Sequence, residues 1–295
     1  MSQTANYLAR VRRRERSIEL RGVDHCVHEW GAAGHPTLVL LHGWGDVGAS
    51  FQFTVDALER DWHVIAPDWR GFGDSGHNAA SYWFPDYIAD LDAVLRALDV
   101  TEPATLIGHS MGGNIAALFA GIFPDRVAAL VNIEGFGLPD SDPAVAPERY
   151  RQWLAAVSAR RSHPGYPSLA PLIARILKTS PRMDEARAKF VAAHWARRQA
   201  DGHWQLKADI AHRWPNPIPY RRAEARACWL QIAARVLLIA GADTEYDDAL
   251  AGWRSPGAGG DYRDARLEVI RDAGHMVHFE QPQALAVAIE AFLTG

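Results

Sequence analysis

Short, continuous apolar runs recur along this chain with helix-spaced segments between them, and this alternation restricts the fold more than any other feature. The runs are "PTLVLLHGW" from Pro36, "WHVIAPDW" from Trp62, "ATLIG" from Ala104, "VAALVNIEG" from Val127, "ARVLLIAG" from Ala234 and "ARLEVIRDAG" from Ala265. Most are continuous in Val, Ile, Leu and Ala rather than alternating with polar residues, as strands covered on both faces must be. Ahead of them "SIEL" and "DHCVHEW" alternate, which predicts an antiparallel opening pair. "DYIADLDAVLRALDV" from Asp86 carries apolar residues at 87, 88, 91, 94, 95 and 98, the spacing of an amphipathic helix. "MGGNIAALFAGIF" is a helix stopped by Pro124, and "QPQALAVAIEAFL" a closing helix. Strands alternating with helices predict an α/β fold with a mostly parallel sheet flanked by helices on both faces.

The alternation breaks once. From Phe136 to Trp229 there is no convincing central strand, but there are helical patches, "ERYRQWLAAVSARR" and "RMDEARAKFVAAHWARRQ". A stretch this long is no loop. The reading is therefore a core of residues 1–135 and 230–295 with a helical insertion, 136–229, over the sheet. The insertion holds Trp153, Trp195, Trp204, Trp214 and Trp229, five of the 11 tryptophans. "RWPNPIPYRR", from Arg213 to Arg222, reads as its return hinge, with Tyr220 packing it down.

Composition excludes several classes. A net charge of −4 gives no basic field for nucleic acid. Two cysteines far apart, Cys26 and Cys228, argue against a disulfide framework and for a reducing, cytoplasmic setting. The arginines of "RVRRRERSIEL" are followed by mixed polar sequence instead of a secretory apolar stretch, so they read as a solvated leader. No run reaches membrane-spanning length.

The chemistry centres on "ATLIGHSMGGNIAALFA". Ser110 stands between an apolar strand and a helix, at the carboxyl end of the strand, where open α/β sheets bind ligands. Gly108 and Gly112 flank it in G-x-S-x-G, the small neighbours that a sharp strand-to-helix turn needs to expose a nucleophile. A serine hydroxyl needs a base. His275 in "RDAGHMVHFEQP", just past the last strand, is the candidate, with His278 its nearest rival. An oxyanion needs N–H donors. Met111 at the helix start supplies one, and Trp44 in "HGWG" after an earlier strand supplies the other. Asp46, next to that loop, and Trp44, Trp153 and Trp214 are candidates to line a substrate pocket. Asp68, Arg70, Asp74 and Ser75 in "PDWRGFGDS" read as residues that hold their loop, and His109 and Asn114 as residues that set the elbow.

In this order and spacing, "LLHGWGD", "VIAPDWRGFGDS", "GHSMGG" and "AGHMVHFEQP" resemble the α/β-hydrolase superfamily over nearly the whole chain. The resemblance implies that the insertion after the sixth strand is a cap, or lid. It also implies a catalytic acid behind the histidine, and here the sequence departs from the usual pattern. In most such enzymes an aspartate lies three residues after the glycine ending "RVLLIAG"; that place holds Thr244, with Asp243 one place early and Glu245 one place late. A minority carries the acid at the end of the sixth strand, where this chain has Glu134. The reading leans to Glu134 and leaves Asp243 and Glu245 open. Relatives with an aspartate nucleophile, the haloalkane dehalogenases and epoxide hydrolases, are set aside because position 110 is serine.

The expected function is hydrolysis of a carboxylic ester of a small to medium hydrophobic substrate through an acyl-enzyme, with no metal or other cofactor. Alternatives on the same machinery are C–C bond, thioester or lactone hydrolysis and cofactor-free perhydrolysis. A non-catalytic ligand receptor is disfavoured by the intact serine and histidine. The expected partner is a small molecule, neither nucleic acid nor membrane. Monomer and homodimer both remain open.

Overall fold

The computed structural model describes residues 6–78, 81–159, 163, 165–254 and 261–295. An eight-stranded sheet forms its centre. In chain order, β1 (Arg14–Leu20) and β2 (Val23–Trp30) form the antiparallel opening pair, followed by β3 (Thr37–Leu41), α1 (Gln52–Ala57), β4 (His63–Pro67) and α2 (Phe84–Ala97). Then come β5 (Ala104–His109), α3 (Met111–Ile122) and β6 (Val127–Ile133). Outside the sheet lie α4 (Ala146–Ala159), α5 (Ala170–Thr179), α6 (Glu185–Trp195) and a small antiparallel pair, β7 (Ala196–Arg198) with β8 (Trp204–Leu206). The chain returns through α7 (Arg222–Trp229), β9 (Arg235–Gly241), α8 (Asp247–Arg254), β10 (Arg266–Ile270), α9 (Val277–Glu280) and α10 (Pro282–Thr294).

The strand order is β1-β2-β4-β3-β5-β6-β9-β10. From β4 to β10 every pairing is parallel, and β2 joins β4 antiparallel. Alternate residues of each run serve opposite faces. Leu38 and Leu40 pack with Phe51, Val131, Ile239, Leu285 and Ile289 under α1 and α10. Val39 and Leu41 pack with Leu91, Ile115, Phe119, Leu130 and Trp229 under α2, α3 and α7. Both faces being covered is why these runs carry no polar alternation.

Residues 136–229 are not uniform. Helices α5 and α6 bury Leu172, Ile176, Ala188 and Val191 in a cluster of their own, seated on Phe53 and Phe279 of the core. Helix α4 contributes no buried residue. By contrast α7 buries Ala225 and Trp229 with the sheet residues, so it packs as a core helix even though it precedes β9. Tyr220 is partly buried against the same cluster, which anchors the returning chain.

The topology places the site. The chain leaves β3 for β4 on one side and then crosses to β5 on the other. The carboxyl ends of β3 and β5 therefore flank a switch point, where connections diverge and leave a crevice for a ligand.

Candidate active site

Ser110 closes β5 with φ 51° and ψ −115°, a backbone region that non-glycine residues avoid. Its surroundings enforce the bend. The Ser110 N–H donates to the Ile133 carbonyl at 2.7 Å, and its own carbonyl accepts from the Asn114 N–H at 3.0 Å. A Cβ on Gly108 would run into the Gly112 backbone, and one on Gly112 into the Leu41 carbonyl. The glycines thus let strand, helix and the neighbouring β3 end meet around the serine.

Glu134 stands at the end of β6, also with positive φ, 56°. It is 2% exposed. A buried carboxylate is costly unless its oxygens are occupied, and here they are. Oε1 accepts the Gly241 N–H at 2.8 Å; Oε2 accepts the Thr244 hydroxyl at 2.6 Å and His275 Nδ1 at 3.0 Å. Asn132 supports the turn, its Oδ1 accepting the Gly135 N–H and its Nδ2 donating to the Gly135 carbonyl, both at 3.0 Å. Because a carboxylate only accepts, His275 Nδ1 carries the proton and Nε2 is left basic. The two rival acids lie elsewhere. Asp243 is exposed and paired with Arg182. Glu245 is exposed on the rim of the cavity, with no hydrogen bond to His275 among the described residues.

His275 follows β10 and faces Tyr246, whose ring meets it edge-on at 5.0 Å. Ser110, Glu134 and His275 line one open cavity of about 990 Å³, together with Phe136, Leu138 and Tyr246. Across the elbow, Trp44 and Met111 border a second cavity of about 140 Å³ with Tyr82, Phe84, Trp153 and Trp214. The structure thus brings Trp153 and Trp214 to the two residues expected to hold the oxyanion. The other tryptophans of the insertion have different places: Trp229 is in the core, Trp204 packs with α5 and α6, and Trp195 donates its indole N–H to Asp46.

Asp46 borders a small cavity of about 40 Å³ with Trp44 and Trp195, apart from the one that holds Ser110. It is 2% exposed, and its carboxylate is taken up by Ser50, Trp195 and His278. The loop of Asp68 behaves as expected. The Asp68 carboxylate accepts the Gly48 N–H at 2.7 Å and the Asp74 N–H at 2.9 Å, while Arg70 pairs with buried Asp90. Burial alone would raise the Asp68 carboxyl; the His28 charge and hydrogen bond outweigh it and hold it far below its ordinary value.

Three residues have supporting roles that the sequence reading did not assign to them. Thr244 is the third donor to Glu134, and its signal was a hydroxyl standing where a carboxylate is usual. His42 anchors the loop after β3 through its Nε2, which accepts the Trp69 N–H at 2.9 Å; burial pushes its imidazole down, so it stays neutral. His278 forms a buried pair with Asp46. Among the described residues, two buried groups have metal-ligand chemistry, Cys26–His28–Asp68 and Asp46–His109–His278. In each an imidazole is already hydrogen-bonded to the carboxylate, at 3.2 and 3.0 Å.

Among the described residues, no helix is long and apolar enough to cross a membrane. The chain is 27% identical over 293 residues to a serine hydrolase-like protein of Danio rerio, covering 93% of this chain and 85% of that one. It is 29% identical over 296 residues to a cis-3-alkyl-4-alkyloxetan-2-one decarboxylase of Shewanella oneidensis, covering 92% and 85%. Among solved structures, a thioesterase domain from the curacin biosynthetic pathway superposes with a TM-score of 0.83 at 23% identity, over 96% of this chain and all of that one. The sequence model of the α/β hydrolase fold matches residues 36–282. That match runs from the start of β3 into the last helix and takes in the serine turn, Glu134 and His275, so the chain belongs to the α/β-hydrolase fold family.

Proposed function

We propose that this hydrolase cleaves carboxylic esters of small to medium hydrophobic substrates through an acyl-enzyme on Ser110. The observation that carries the reading is the 3.0 Å bond from His275 Nδ1 to a buried, fully bonded Glu134, in the cavity that also holds the strained Ser110. In this reading Ser110 Oγ attacks the carbonyl, His275 Nε2 takes the proton and returns it to the leaving alcohol, and Glu134 steadies the imidazolium. The N–H groups of Met111 and Trp44 stabilise the oxyanion. Water activated by His275 then releases the acid. All these groups belong to the chain, so no metal or cofactor enters a step. The small aromatic cavity beside Trp44 and Met111 suits the apolar acyl part, and the larger open one the alcohol part.

A second reading is hydrolysis of a lactone or thioester on the same groups. It draws support from the relative named for an oxetan-2-one, a strained cyclic ester, and from the thioesterase domain of like fold. The test is release of p-nitrophenol from acetyl to octanoyl esters, beside an alkyl β-lactone and an acyl thioester. Wild type should turn over an ester and be labelled by a fluorophosphonate, and Ser110→Ala should do neither. Turnover of the lactone or thioester alone would move the assignment to the second reading. No turnover together with no labelling would remove both.

A further inference from the structure

Asp46 follows the loop that carries Trp44, and its carboxylate is held by donors from three separate parts of the chain. Oδ1 accepts the Ser50 hydroxyl at 2.5 Å and the Trp195 indole N–H, from the end of α6, at 2.8 Å. Oδ2 meets His278 Nε2, in α9, at 3.0 Å. Burial alone would raise this carboxyl, but the His278 hydrogen bond and charge outweigh it and keep it below its ordinary value. His278 is itself fully buried, three residues beyond His275. Its ring packs on that of His109 at 4.4 Å. The carbonyl of His275 can only accept, so His109 Nε2 donates to it, at 2.9 Å. Burial, with His278 and His275 close by, pushes the His109 imidazole well below its ordinary value, so it stays neutral with a bare Nδ1. That Nδ1 has no partner among the described residues and lies against Gly43 of the same loop.

These contacts form one connected path. The geometry points to Asp46 and His278 as a second buried carboxylate–imidazole pair that positions His275 and the loop after β3, with Trp195 as the clamp through which the docked α5–α6 unit completes it. His275 is then held twice: by Glu134 at its ring, and by His109 at its backbone. Packing alone does not explain the polar set, because a buried ion pair is seldom more stabilising than apolar residues of the same volume. Nor does contact with a substrate on Ser110 explain it: Asp46 does not line the cavity that holds Ser110, and in the small cavity it does border, with Trp44, its carboxylate oxygens are already taken by Ser50, Trp195 and His278. The inference rests on the reading of Ser110 and His275 as nucleophile and base.

The test uses the full chain with Trp195→Phe, which keeps a ring and removes one donor, and Asp46→Asn. The groups that meet His275 are Glu134 from the end of β6, His109 from β5 and Tyr246 ahead of α8; His278, from α9, stands behind His109. Trp195→Phe leaves all four in place and removes no charge, so a change in the His275 titration of that variant reports placement; Asp46→Asn also removes the charge beside His278. A misplacement of about 1 Å at a reacting group costs on the order of 10²-fold. Accordingly Asp46→Asn should lose on the order of 10²-fold in kcat and Trp195→Phe roughly tenfold, with KM within about twofold of wild type. In both, the His275 imidazole, followed by NMR of histidine-labelled protein, should titrate at a displaced pH. Wild-type kcat and wild-type His275 titration in folded Trp195→Phe would overturn the proposal. So would a loss of activity that tracks loss of folded protein with the titration unmoved. If Asp46→Asn does not fold, Trp195→Phe decides. If wild type hydrolyses no ester, the functional reading falls while the titration still decides whether Asp46 and Trp195 position His275.

Discussion

Glu134 shows how much one residue's role depends on atoms far away in sequence. Three carboxylates, Glu134, Asp243 and Glu245, compete for the place behind His275, and a local reading ranks them only weakly. The structure separates them: Glu134 meets His275, while Asp243 turns out to Arg182 and is half exposed. Replacing an orienting carboxylate by its amide leaves the shape and inverts the favoured tautomer of the histidine. Glu134→Gln should therefore lower kcat roughly 10³–10⁴-fold on p-nitrophenyl esters, and Asp243→Asn should leave it within about twofold. The reverse pattern would return the acid to the end of β9. Thr244→Val removes a 2.6 Å hydroxyl donor to a buried charge. Such a bond is worth about 1.5–3 kcal/mol, so kcat should fall about tenfold or more while Tm shows whether the fold also pays. Ser110 and His275 were legible because each lies in a short motif next to a strand end. The bonds of Asp46 were not legible because its partners, Trp195 and His278, are 149 and 232 residues away.

At the scale of elements, the central strands were the legible part. "TLVLL" and "VAALVNI" are buried on both faces, so hydrophobicity alone marks them. Segments with a single buried face were harder. Helix α5 buries only Leu172 and Ile176, and β7 and β8 are three residues each, too short for a pattern to register. Helix α7 escaped for another reason: its attachment to the core depends on α3, not on its own sequence. The contact is close because α3 has Gly121, where a Cβ would meet the Cys228 backbone carbonyl. Backbone on both sides leaves little room to relax, and overpacking of this kind costs about 1–3 kcal/mol. Gly121→Ala should lower the urea midpoint correspondingly without changing kcat per folded molecule, since Gly121 lies ten residues along α3 from Met111, about 15 Å from the end that meets Ser110. An unchanged midpoint would mean that α3 and α7 move apart to take the methyl group without loss.

For the molecule as a whole, pH acts through histidines buried in their neutral form where the inserted segment meets the core. His212, in the turn returning from the insertion, is stacked between Phe72 and Tyr82 with ring centroids at 3.8 and 3.7 Å. Burial pushes its pKa down to about 3. His194, near the end of α6, is pushed down to about 4 by burial and then by Arg13. An unfolded histidine takes a proton near pH 6.5. Between that pH and the folded values, the unfolded chain binds more protons, so stability falls as the solution is acidified. Asp90 works in the same direction lower down: burial alone would raise it, but Arg70 and His25 hold it at about 2, so its contribution is lost only below its ordinary range near pH 4. His28, beside Asp68, has the opposite sign. Burial works against its charge, Asp68 prevails, and its pKa is raised well above the ordinary value; that contribution is full below pH 6.5 and fades as pH rises through the folded value. Unfolding free energy from urea titrations should therefore decline from pH 6.5 to 4, by up to about 1.4 kcal/mol per pH unit for each such histidine. His212→Phe keeps a ring in the stack and cannot titrate, so the slope should fall by about one proton while the decline due to His194 persists. A slope identical to wild type would show that acid weakens the molecule somewhere other than the seat of the returning chain on Phe72 and Tyr82.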